Sequence, residues 1–237
     1  MVSTTAARVG AVPNTTAPEP VSPVTAEAKF ALDGSSLVYS SFLGGSGDDQ
    51  IYGIRLGTDH SLYVCGDTSS ANFPLKNAYS SAFAVNTSNQ YHAFVSRVSP
   101  TGQLAYSTYF GGAGQDSANS IAVDAAGAMY ITGITTSNDL PVTGALQATY
   151  SGNYDSYVGK FDPTGASLLF LTYMGGTNTD EGYDLSVDGA GNIYGVGVTN
   201  STDLPTRSAL QATDNGQTNL FIFKLGADEV TVGAANF

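Results

Sequence analysis

From Leu37 onward the apolar and polar positions fall into short runs rich in Tyr, Phe, Ile, Val and Thr, broken by Gly, Asp and Pro. Period-two alternation between turn residues is the mark of β-strands, and no segment carries a helical period. In one stretch the predicted strands are 105–110, 117–123, 128–135 and 157–161. The turns Asp124 to Gly127, Asp162 to Gly165 and Gly111-Gly112 separate them. Pro163 at the second turn position with Gly165 at the fourth fits a type I turn. Some runs, such as Phe221-Ile222-Phe223, are apolar on both faces, as expected of strands covered from both sides.

The pattern is written three times. Leu37, Leu104 and Leu168 open equivalent runs ending in Gly-Gly, offset by 67 and then 64 residues (104 minus 37, 168 minus 104). Asp49, Asp116 and Asp180 keep the spacing, as do Tyr63, Tyr130 and Tyr194, and Pro74, Pro141 and Pro205. A fixed period of this length signals an array of identical supersecondary units. The units run at about 37–103, 104–167 and 168–228 within a β region spanning 29–237. Four-stranded units with both faces buried are the blades of a β-propeller, so the expected fold is all-β, with about three blades.

Quoted residue by residue, the run Tyr106-Ser-Thr-Tyr-Phe-Gly-Gly112, then Gly114-x-Asp116, Ile121-Ala-Val-Asp124-x-x-Gly127, Tyr130-Ile-Thr-Gly133, Asp139-Leu-Pro141 and Tyr157-Val-x-Lys160-Phe-x-Pro-x-Gly165 resembles the SBBP β-propeller repeat family. The resemblance extends over about 200 residues. It implies a propeller and an extracellular or cell-surface location, since such repeats generally occur in secreted or surface-attached bacterial proteins. The first unit departs most. Gly57 stands where Asp124 and Asp188 occur, Asp59-His60 replaces the Ala-Gly turn, and residues are inserted between Pro74 and Phe94.

By analogy with other propellers, 51–56, 121–123 and 184–187 are expected innermost, lining a central channel, and the Tyr-Ser-Thr-Tyr strands outermost. The chain then opens on the remnant of a preceding blade, runs through two full blades and stops after three strands of another. Propellers close with four to eight blades. The ring is therefore expected to be completed by another copy or another chain. Strand exchange through Val38, Tyr39, Ser40, Ser41, Phe42 and Leu43 would do this in a homo-oligomer, burying two exposed sheet edges. A rival is that 229–232 supplies the missing outer strand. Residues 1–28, with Pro13, Pro18, Pro20 and Pro23, read as an extended Pro/Thr/Ala-rich arm or linker.

Charge narrows the partners. With 20 Asp+Glu against 8 Lys+Arg and a formal net charge of -12, the chain lacks the basic clusters that nucleic acid demands. No run is long and apolar enough to cross a membrane as a helix, and the N-terminus does not read as a signal peptide. Cys65 is the one cysteine, which excludes an intrachain disulfide, and is expected as a small core residue.

Candidate chemistry is sparse. Asp49, Asp116 and Asp180 could bind Ca²⁺ at a channel mouth, but their recurrence fits better as carboxylates tying backbone amides at each blade crossing. No other cofactor is expected. Arg97, Lys160 and Lys224, with Lys29 at the matching place in the remnant, are expected to pair with carboxylates between blades. His60 and His92 are expected in loops. Tyr79, Phe83, Tyr91, Tyr150 and Tyr154 fall in loops, where aromatics suit protein or glycan contact or pack over blade edges.

Three functions remain open. The first is a non-enzymatic interaction or self-assembly module. The second is a glycan- or Ca²⁺-binding module at the channel mouth. The third is a polysaccharide-processing enzyme using Asp180 or Glu181, although no catalytic motif is present.

Overall fold

The computed structural model describes residues 25–31, 33, 35–83, 90–213 and 217–226. Among them are thirteen strands and no helix. They are β1 (Thr25–Phe30), β2 (Leu37–Leu43), β3 (Asp49–Leu56), β4 (Leu62–Thr68), β5 (His92–Val98), β6 (Leu104–Phe110), β7 (Asp116–Val123), β8 (Met129–Thr135), β9 (Asp155–Phe161), β10 (Leu168–Met174), β11 (Asp180–Val187), β12 (Ile193–Thr199) and β13 (Asn219–Leu225). Most of the arm, and the rival strand at 229–232, lie outside the described residues. β1 begins at Thr25, slightly before the expected end of the arm.

The strands form antiparallel sheets ordered β1-β2, β3-β4-β5-β6, β7-β8-β9-β10 and β11-β12-β13. Each blade therefore straddles two sequence repeats: the run that opens one repeat is the outer strand of the blade before it. The hairpin β1–β2 reproduces the outer half of a blade. Lys29 lies opposite Tyr39 and Phe30 opposite Leu37, with a bulge between. Arg97 opposite Tyr106 and Val98 opposite Leu104, again with a bulge, repeat this pairing in the first full blade. In strand positions the chain thus reads three-four, one to four, one to four, one to three.

Burial follows neighbours rather than sequence. β4 and β5 in the first full blade, and β8 and β9 in the second, are buried at nearly every position because other sheets cover both faces. β12, built from a similar sequence, alternates between buried and open, because among the described residues no sheet packs against one face of the last one. Ile222 is 74% exposed, whereas Val95 and Val158 at the same repeat position are fully buried.

The inner strands β3, β7 and β11 stand side by side and are cross-tied. Cys65 donates its Sγ hydrogen to Ala118 O at 3.3 Å, linking β4 to β7, and Asn119 Nδ2 donates to Gly182 O at 2.9 Å, linking β7 to β11. A single Asp184 oxygen accepts from Arg55 of β3 at 3.1 Å and from the Ser120 hydroxyl of β7. Cys65 is the buried core residue expected, its thiol pKa pushed up by burial.

Candidate functional site

Each inner strand begins with its repeated aspartate, and each aspartate is buried in a similar staple. Asp116 accepts hydrogen bonds from Gly112 N at 2.9 Å, Thr135 Oγ1 at 2.5 Å and Ser137 Oγ at 2.9 Å. Asp49 takes the same set from Gly45 N, Thr68 Oγ1 and Ser70 Oγ. Gly-Gly precedes the aspartate because the carboxylate fills the side-chain space: at Gly111, with φ +151°, a Cβ would lie 2.3 Å from Asp116 Oδ2. Burial raises the Asp116 pKa, with the three donors opposing the rise.

The third staple is incomplete. Asp180 keeps Gly176 N at 2.7 Å and Ser201 Oγ at 2.8 Å, but its Oδ1 is buried without a hydrogen-bond partner. Asp155, the buried first residue of β9, lies beside it: a Cβ at Gly175 would meet Asp155 Oδ1 at 2.7 Å and Asp180 Oδ2 at 3.0 Å. Burial, with Asp180 adding to it, pushes the Asp155 carboxyl up to about 6. Among the described residues no group of three or more His, Cys, Asp or Glu is placed to hold a metal ion.

The recurring cations find rings instead of the carboxylates expected between blades. Arg97, Lys160 and Lys224 lie directly across their sheets from Tyr63, Tyr130 and Tyr194. Each sits over its ring, at 5.4, 5.0 and 5.2 Å from the centroid. Tyr130 and Tyr194 donate in turn to Asp124 and Asp188. In the first unit, where Gly57 replaces that aspartate, Asp59 supplies the carboxylate from two residues on and pairs with Arg97 at 2.5 Å. The altered turn is thus compensated within its own blade.

The two histidines differ from each other. His60 sits in an exposed turn at φ 63°, as expected. His92 does not occupy a loop: it opens β5, is 2% exposed, and packs edge-on against Phe83 with centroids 4.7 Å apart. Its Nδ1 lies 3.9 Å from Asp116 Oδ2, in the place that Asp155 takes beside Asp180.

The loop aromatics also divide. Tyr79 packs on Phe161 at 5.6 Å, Phe83 on Tyr109 at 5.2 Å and Tyr150 on Tyr173 at 6.0 Å, so these three cover blade edges. Tyr91 and Tyr154, each one residue before the third strand of its blade, instead line a cleft of about 510 Å³ at the leading ends of the inner strands.

That cleft was not legible as a set in the sequence. β3, β7 and β11 each carry a bulge, at Tyr52, Asn119 and Tyr183, and all three of these residues line the cleft. A shared offset of three residues from Asp49, Asp116 and Asp180 was the available signal. Asp67 was missed too, although Ile134 and Val198 occupy its repeat position. It is 7% exposed, one carboxyl oxygen is buried without a hydrogen-bond partner, and burial pushes its pKa up to about 6 despite the nearby Ser117 and Tyr52 hydroxyls. Glu181 completes the acidic side. Burial raises its pKa, and Asn119 Nδ2 donates to it at 3.2 Å.

No curated protein matches the chain. A family model described as a β-propeller repeat matches residues 105–141 and 169–205. Each match starts within an outer strand and runs through the first two strands of the next blade, the same straddling seen in the sheets. The fold, the period and these two matches agree: the chain carries SBBP β-propeller repeats.

Proposed function

We propose that the chain is a non-enzymatic interaction and self-assembly module of a secreted or surface-attached protein, and that two copies join head to tail into a closed ring. The observation that carries this is the bare face of the last sheet. Leu220 (83% exposed) and Ile222 (74%) lie where the other blades have the fully buried Ala93, Val95, Ser156 and Val158. The residues that bury those positions belong to a following blade.

β2 supplies the complement. It has the sequence and register of an outer strand, and its Phe42 is 76% exposed where Tyr109 and Tyr173 are 2% exposed. With β2 of one copy as the fourth strand of the other's β11-β12-β13 sheet, the donor's first full blade would follow directly and cover Val196 and Ile222. Repeated by a two-fold axis, the same contact closes the ring and pairs the open edge of β13. β1 occupies the edge of β2 that β13 would take, so closure exchanges β1 for a partner's β13. The secreted or surface location rests on the repeat family.

Ile222→Glu places a charge in the proposed seam while leaving a solvated side chain on the isolated chain. It is expected to convert the dimer to monomer at micromolar concentration with the melting temperature of the monomeric fold retained. An unchanged mass for this variant would remove the seam from the proposal.

A further inference from the structure

We infer that the cleft at the leading ends of the inner strands binds a neutral oligosaccharide, with Asp67 as its buried acceptor and the Tyr52 and Tyr183 rings as its walls. The site is built within the three blades described and does not depend on ring closure.

Four tyrosines reach this cleft by two separate devices. Bulges bring Tyr52 and Tyr183 out of the inner strands, and the approach to the third strand brings in Tyr91 and Tyr154. Tyr52, Tyr154 and Tyr183 are 47%, 39% and 48% exposed, so broad apolar ring surface stands open beside polar groups. A sugar ring offers the matching chemistry, with C–H faces to cover the aromatic surface and hydroxyls around its edge.

The polar groups select further. Asp67 presents a buried oxygen without a hydrogen-bond partner at a place where the other repeats have Ile134 and Val198. An uncompensated buried acceptor costs stability, and a ligand hydroxyl would satisfy it. Among the described residues no Lys, Arg or His lines the cleft, and the chain carries a net charge of -12, so an anionic ligand is disfavoured. The Gln115 amide and tyrosine hydroxyls give hydrogen bonds as well as accept them. A polyhydroxylated ligand uses both capacities, whereas an ammonium group uses acceptors alone.

The test is a glycan panel containing neutral and anionic oligosaccharides, with tetralysine as the competing cationic class, followed by calorimetry on the tightest binder. The variants are Asp67→Ile, which installs the residue of the second repeat, and Tyr183→Ala. Tyr150→Phe, outside the cleft, is the control. Binding confined to neutral oligosaccharides, weakened about tenfold or more by either cleft variant and unchanged in the control, is the expected result. Melting curves establish that each variant is folded. Failure of every neutral glycan to bind would overturn the proposal, as would binding indifferent to both cleft variants. Loss of tetralysine binding in those variants, with no glycan response, would assign the cleft to cationic peptides and overturn it equally.

Discussion

Among single residues, the strongest joints are the buried aspartates. Removing the carboxylate in Asp116→Ala strands Gly112 N and the hydroxyls of Thr135 and Ser137. Charge-assisted bonds and unpaired buried donors together predict a loss of about 3–5 kcal/mol, measured by urea unfolding. Lys160→Met removes a contact with a single ring and should cost only about 0.5–1 kcal/mol. Recurrence alone marked both positions as structural. The cations' partner was misread because it depends on cross-strand register: nothing in the linear spacing puts Lys160 opposite Tyr130. His92 was misplaced for a related reason, since strand β5 starts two residues earlier than the run of apolar side chains at Phe94 suggests.

At the level of elements, strand types, turns and the point where the pattern is cut were legible because period-two alternation and Gly-Pro-Asp turns are local signals. The bulges were not, since a bulge is a two-strand property. Their signature is the glycine across the ladder: Gly66, Gly133 and Gly197 lie opposite Ile51, Ala118 and Gly182 at the start of each shift. At Gly133 a Cβ would meet Ser117 O at 1.9 Å, backbone that cannot move without breaking the sheet. Gly133→Ala should therefore destabilise by about 3 kcal/mol. Gly189, in a turn with open space around it, should tolerate alanine with a change no larger than about 1 kcal/mol, in the stabilising direction. Equal effects in the two variants, read from denaturant midpoints, would contradict the assignment of the bulge.

On the scale of the whole molecule, buried acids set the dependence on pH. Asp67 and Asp155 are raised by burial to about 6 from the ordinary carboxylate value of 3.8, so the folded state holds their protons more tightly than the unfolded chain. Their contribution is fully present below pH 3.8 and is lost as pH rises through about 6. Asp59 and Asp188 act in the opposite sense: their donors hold them near 2, and their contribution disappears as pH falls through that value. Stability should peak on the acid side, at about pH 4–5, and decline toward pH 7. Asp67→Ile combined with Asp155→Asn should flatten that decline, as measured by urea midpoints across the range. An undiminished slope in the double variant would show that other groups cause it.

Ring closure is the claim on which the molecule's role rests, and the mass of the native particle tests it most directly. Light scattering of the purified chain at micromolar concentration is predicted to give twice the monomer mass of 24.3 kDa, with two-fold symmetry in solution scattering. A particle that remains at 24.3 kDa across that range would contradict head-to-tail closure.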